Sequence, residues 1–190
     1  IKYQDTNGDG QITDADKRRL GKSGKPRGQF GINLNMSYKG FYLSALFQGS
    51  TKFNMYVAGS LGMQTGQTYG MPVAYDYQTD FWTPDNRDAQ YPRLMANTAL
   101  NQNNNYASSD FWLINGAYLR MKDFQFGYDF KYSLLKNVSW LTRCKMGISG
   151  QNIFTISQAT KYGMDPEPSD TNYYGYPVER TIAFTLNLGF

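Results

Sequence analysis

The chain predicts an all-β fold, an antiparallel sheet of the kind that closes into a transmembrane β-barrel, and three observations carry that expectation. Residues 181–190 alternate strictly: Ile182, Phe184, Leu186, Leu188 and Phe190 share one face, and Ala183, Thr185, Asn187 and Gly189 the other. Five large apolar side chains on a terminal strand would template aggregation unless covered. Lipid is one such cover, because a strand of roughly 9 to 11 residues, apolar outward and small or polar inward, is the repeating unit of outer-membrane barrels. A sandwich strand packed on a soluble core would alternate in the same way. The second observation is composition: apolar residues make up 41% and mean hydropathy is −0.58, yet aromatics reach 16%, with 16 Tyr and 12 Phe. Alternation dilutes average hydrophobicity, and aromatic girdles flank a barrel's apolar band, so this combination suits a wet-lumened barrel. The third observation is the regular alternation of long and short connections described below.

Strands follow in order. Residues 1–28 are expected to form an extracellular loop with an EF-hand-like calcium site, and residues 29–190 the barrel strands with long extracellular loops. In residues 30–38, Phe30, Ile32, Leu34, Met36 and Tyr38 alternate with Gly31, Asn33, Asn35 and Ser37. Lys39-Gly40 is a tight-turn signal, and residues 41–48 continue the alternation, so the two segments read as a hairpin. The third strand, about 117–130, sets Phe124, Phe126, Tyr128 and Phe130 on one side, but Leu119 and Met121 are out of phase with them. A bulge near Lys122 and Asp123 reconciles the two halves. A fourth, less regular strand spans about 143–156, and the terminus supplies the fifth. Short connections, about two residues and then residues 131–142 with one helical turn near Leu134-Leu135, alternate with long ones, residues 51–116 and 157–177. An up-and-down sheet then gathers every long loop at one end, the asymmetry of outer-membrane barrels with extracellular loops and periplasmic turns. Five strands cannot close such a barrel, so the sheet is completed by strands from elsewhere.

Other classes are excluded or weakened. No run approaches the roughly 18 apolar residues of a membrane helix. The single Cys144 forms no intramolecular disulfide or thiolate cluster, and the absence of His removes the commonest general base. Asp80, Asp85 and Asp88 lie close in sequence but lack a framing pocket, so no enzyme is expected. The +4 net charge reads as cations scattered among carboxylates, which argues against nucleic acid as a partner. The start at Ile1, without Met or leader, suggests a mature fragment or the C-terminal part of a longer protein.

Two segments carry candidate sites. Residues 5–16 match an EF-hand-type calcium loop: Asp5, Asn7 and Asp9 at positions 1, 3 and 5, Gly10 at the sharp turn, the Gln11 carbonyl at 7, Ile12 as apolar anchor, and Asp16 in place of the usual Glu at 12. The shorter carboxylate implies weaker, structural Ca2+ binding; the alternative is a solvated acidic turn. Residues 14–20 would form a short helix ended by Gly21. In the long loops, Trp82 and Tyr91, with Tyr173 and Tyr174 further on, are candidate substrate-binding residues, since aromatic platforms beside amides and carboxylates suit a sugar or a peptide. The same residues equally suit a loop that folds on itself.

Taken in order, several landmarks resemble the C-terminal third or less of the SusC/RagA family of TonB-dependent outer-membrane transporters of Bacteroidetes. They are the 5–16 loop, Phe47-Gln48-Gly49, Phe81-Trp82-Thr83-Pro84 with Tyr91-Pro92-Arg93-Leu94, and Asp110-Phe111-Trp112-Leu113 with Gly116-Ala117-Tyr118-Leu119-Arg120-Met121-Lys122. Ser149-Gly150-Gln151-Asn152-Ile153-Phe154-Thr155, Gly163-Met164-Asp165-Pro166-Glu167 and the terminal strand complete the series. The resemblance implies a 22-stranded barrel around an N-terminal plug, with this chain supplying about the last five strands. It further implies import of glycan oligosaccharides or peptides, coupling to the TonB complex through an absent N-terminal region, and a SusD-like surface lipoprotein as partner. Phe190 would serve as barrel-assembly signal. The competing expectation is a calcium-stabilised extracellular glycan-binding or adhesion β-domain without transport activity.

Overall fold

The computed structural model describes residues 1–21, 24–57, 79–93, 105, 107–167 and 178–190. Among them the chain forms eight strands: β1 (Gly28–Tyr38), β2 (Phe41–Thr51), β3 (Asn54–Tyr56), β4 (Leu113–Asn115), β5 (Tyr118–Asp129), β6 (Arg143–Gln151), β7 (Thr155–Ser157) and β8 (Thr181–Gly189). The main sheet runs β1-β2-β5-β6-β8 in chain order, with every pairing antiparallel, and β7 pairs with the start of β5. All five expected long strands are present. β3 and β4 form a separate ribbon inside the long 51–116 connection, where no strand was expected, because three residues are too few to show a period.

Register makes one face of the sheet apolar from edge to edge. Leu34 pairs with Ala45 and Ala45 with Phe124; Phe126 pairs with Ile148 and Ile148 with Phe184. Side chains of directly paired residues project to the same side, so these rows form a continuous wall. Most of its large side chains stay exposed, with Ile32, Met36, Met146, Ile182 and Leu186 each more than half accessible and Phe184 91% accessible, while the small Ala45 is covered by its neighbours. The opposite face is polar: Ser44 Oγ donates to Asn35 Oδ1 at 2.8 Å, and Asn35 Nδ2 to Asn33 Oδ1 at 3.1 Å. Such a two-faced sheet with no buried core of its own fits lipid on one side and a wet lumen on the other.

The expected bulge is present at Lys122. Leu46 pairs with Asp123, and the next residue, Phe47, pairs with Met121, so Lys122 is the extra residue. It shifts the phase of β5 and returns Leu119 and Met121 to the apolar face. The fourth expected strand is interrupted at the same level: β6 stops at Gln151, Asn152 takes φ +52°, and β7 resumes at Thr155. Residues 152–154 remain hydrogen-bonded to the bulge through Asn152 N to Lys122 O, Ile153 N to Met121 O and Met121 N to Phe154 O, each at 3.1 Å. On the inner face Tyr42 lies over Gly127 and Gly147, where an added Cβ would collide with its phenol.

The short connections gather at one end. Lys39 (φ +45°) and Gly40 (φ +90°) form the two-residue hairpin turn, both with the positive φ of a type I′ turn. In the second connection a 3-10 turn, Phe130–Tyr132, replaces the helical turn expected near Leu134-Leu135; Asp129 caps it by accepting from Lys131 N. An aromatic belt rings this end. Phe41 contacts Phe126 and Tyr128, Tyr128 meets Phe130 edge to face, and Trp140 stacks on Phe190 with centroids 5.8 Å apart. The helix expected over residues 14–20 is not formed: a 3-10 turn, Asp14–Asp16, ends at Lys17, whose extended ψ of 129° leaves the helical region.

Leu186→Arg on the apolar face is expected to cost about 2–4 kcal/mol and to block assembly of the complete parent barrel, whereas Asn187→Arg on the inner face is tolerated. Heat-modifiable electrophoretic mobility of the protein in isolated outer membranes measures both.

Candidate functional site

The loop end of the sheet carries a small hydrophobic core of its own. Val57, Trp112, Ile114, Ala159, Tyr162 and Met164 are buried together, with Ile1, Met55, Tyr56 and Tyr91 packed against them. The β3–β4 ribbon positions them: Val57 N donates to Trp112 O at 2.8 Å, and Gly116 N to Phe53 O at 2.9 Å. Trp112 Nε1 donates to the Asn105 carbonyl at 2.9 Å, so the indole is buried without an orphaned donor. This cap ties the start of the chain, the ribbon and the segment after β7 into one body.

A charged cluster fastens the cap to the inner face of the sheet. Arg120, on the inward phase of β5 and 3% accessible, donates Nε to Thr155 Oγ1 at 2.9 Å, Nη1 to Glu167 Oε2 at 2.5 Å and Nη2 to Asp165 Oδ1 at 2.6 Å. Lys122 Nζ adds a contact to Glu167 at 2.8 Å. Met164 and Pro166, which alternate with the two carboxylates, are buried, so one short segment inserts its apolar residues into the cap and turns its acids toward the wall. A guanidinium this buried is stable only with its charge paired, and here each of its three nitrogens has an oxygen partner. Sequence reasoning did not single out these four charges as a site. The available signal was a pair of cations, Arg120 and Lys122, at alternate positions among the apolar residues of the strand, together with Asp165 and Glu167 two residues apart.

The aromatic loop brings two of the candidate substrate residues together. Trp82 N donates to Tyr91 O at 2.9 Å, and Tyr91 N to Asp80 O at 3.1 Å. Asp80 organises the loop: its carboxylate accepts from Asn86 Nδ2 and from Gln90 N, both at 3.1 Å. Asp80 is therefore a scaffold residue, and the loop folds on itself. Trp82 and Tyr91 also line an open hollow of about 380 Å³ with Pro92, Asn105 and Phe111, so a folded loop and a binding surface coexist. Tyr173 and Tyr174 lie outside the described residues. Phe190 lies at the opposite, turn end of the sheet, stacked on Trp140.

The calcium-type loop adopts the expected turn in part. Gly8 and Gly10 both take φ +79°, and Asp5 accepts from Gly8 N at 2.6 Å and Gly10 N at 2.8 Å. Asn7 Oδ1 accepts from Asp9 N, and Asp9 Oδ1 from Gln11 N. The all-oxygen donor set matches the chemistry of Ca2+. Asp16 is used differently: it accepts from Thr6 N and Thr13 N, each at 2.8 Å, and completes a capping box that clasps the two ends of the loop. Among the described residues no three Asp, Glu, His or Cys side chains converge as a metal shell.

Two expectations follow. Arg120→Ala leaves Asp165 without its cation and Glu167 with Lys122 alone, at a cost of about 3 kcal/mol, the low end for a broken buried pair because both acids keep some solvent and Glu167 keeps a partner. Hydrogen exchange of residues 159–167 in the intact protein is expected to accelerate accordingly. Backbone donors from Thr13 and Thr6 hold the Asp16 carboxyl below its ordinary pKa. A depressed pKa stabilises the clasp fully above the unfolded carboxylate value of about 3.9 and loses that stabilisation as pH falls through the lower folded value. The Thr6 and Thr13 amides should therefore stay protected throughout neutral and mildly acidic pH, and Asp16→Asn should expose them at pH 7.

No protein-family model matches the chain. Its sequence is similar along its whole length to TonB-dependent receptors of Formosa agariphila: receptor P3 is 28% identical over 99% of the chain, and receptor P26 is 27% identical over 100%. The chain spans 19% of the length of each. Its fold is similar to that of the RagAB peptide transporter, with a TM-score of 0.58 at 21% identity, covering 83% of this chain and 16% of that one. The RagAB peptide importer in its open-open state matches with a TM-score of 0.55 over the same shares. These relatives are receptors and transporters, not enzymes. The expected resemblance thus recurs in both comparisons: the sequence is similar to that of TonB-dependent receptors, and the antiparallel sheet is similar in fold to part of the RagAB transporter.

Proposed function

We propose that the chain forms part of the wall and extracellular cap of an active importer, which takes up glycan oligosaccharides or peptides together with a SusD-like surface lipoprotein and is driven by the TonB complex through parts of the protein outside this chain. The observation that carries this reading is the five-strand sheet with an unbroken apolar outer face and a polar inner face, capped at its loop end by residues fastened through Arg120. An adhesion domain in water would have to cover that apolar face. Trp82 and Tyr91 face an open hollow and are the cargo contacts within the described residues. Uptake of labelled oligosaccharides and peptides by cells with and without the parent gene separates the two cargo classes. One class is expected to enter only when the gene is present and to stop entering when the proton gradient is collapsed; uptake that survives an uncoupler overturns active transport.

Asp5, Asn7, Asp9, the Gln11 carbonyl and Asp16 form a structural Ca2+ site in the same reading. Support comes from the oxygen-only donors and from the two left-handed glycines that shape the turn. Titration calorimetry of the parent protein is expected to show one calcium heat in the 10⁻⁴ to 10⁻³ M range typical of extracellular modules, lost in Asp5→Ala and Asp9→Ala while the barrel stays folded. Absence of that heat retires the site.

A further inference from the structure

The fold segregates the net charge that the sequence suggested was scattered. Five of the 19 Lys and Arg lie at the turn end of the sheet (Lys39, Lys131, Lys136, Arg143 and Lys145) against one of the 15 Asp and Glu, Asp129. Five cations against one carboxylate leave a local excess of +4 at this end among the described residues. Asp129 is already engaged, 4.0 Å from Lys145 on the inner face and capping Lys131 N. Lys131 Nζ is bound to the Val138 carbonyl at 2.6 Å. Lys39 and Lys136 are exposed, and among the described residues neither has a carboxylate within ion-pair distance.

The position of these two cations identifies what they face. Lys39 leans over the Tyr38 ring at 5.2 Å, and Tyr38, Tyr132 and Trp140 are 70%, 59% and 66% accessible. The aromatic belt continues directly into the apolar outer wall. Amphipathic rings of this kind settle at the headgroup level of a bilayer, and lysines just beyond them reach the phosphates while their stems stay on apolar surface.

We propose that the turn-end rim, through Lys39 and Lys136 beside Tyr38, Tyr132 and Trp140, binds the phosphodiester headgroups of an anionic phospholipid leaflet. The proposal rests on the reading of the sheet as membrane-barrel wall. Each juxtamembrane lysine adds a charge attraction that salt weakens, worth about fivefold in lipid preference.

The test uses the complete parent protein reconstituted in mixed phosphatidylcholine and phosphatidylglycerol, with retained lipids counted by native mass spectrometry. Phosphatidylglycerol is expected to be retained in preference, and the preference should fall about fivefold for each of Lys39→Gln and Lys136→Gln. It should shrink at high salt and resist inorganic phosphate. Equal retention of the two lipids overturns the proposal, as does a preference unchanged in the double variant, displacement by inorganic phosphate alone, or binding of polyglutamate in place of lipid. Failure to insert into phosphatidylcholine alone would overturn the barrel reading, and this proposal with it.

Discussion

Backbone N–H and C=O groups at membrane depth have no water to pair with, so every one must be met inside the protein, and a sheet can do this only with neighbours on both sides. That constraint governs the molecule. It produces the uninterrupted ladder from β1 to β8, and because side chains alternate with the pleat, it commits one face to lipid and the other to the lumen. The outer strands β1 and β8 each keep one edge unpaired among the described residues, so the same constraint requires further strands to close the barrel.

A period of two leaves little freedom, since a slip of one residue would turn an entire apolar row inward. Lys122 is where the chain uses that sensitivity. Inserting one residue changes the phase of β5, keeps Leu119 and Met121 on the apolar face, and sets Arg120 and Lys122 on the inner side within reach of Glu167. The interruption at Asn152 follows β6 past the bulge, so the distortion is shared by two strands. Packing and electrostatics thus meet at one backbone irregularity: it preserves the lipid-facing wall and presents the cations that hold the cap.

The two ends of the sheet do different work for a related reason. At the loop end the described parts of the long connections pack around Trp112 and Met164, with Arg120 joining that core to the wall. At the turn end the connections are too short for a core, so rings and cations remain exposed at the boundary of the apolar wall. A wall held between these ends is a rigid frame on which the cap at the loop end is built.

The sequence by itself determined the five long strands of the main sheet, their faces, the tight turn at Lys39-Gly40 and the bulge near Lys122, because alternation against a pleated backbone leaves little choice of arrangement. The aromatic terminus and the sorting of long and short connections were equally legible. Tertiary structure alone decided that Arg120 meets Asp165 and Glu167, 45 and 47 residues away, and that Asp16 clasps Thr6 and Thr13 as a cap. It also decided that Asp80 is scaffold and that the β3–β4 ribbon carries a core. Local periodicity records which way a side chain points; it holds no information about which distant loop returns to meet it, and the charge asymmetry of the two ends emerges only once the meander has brought separated turns together.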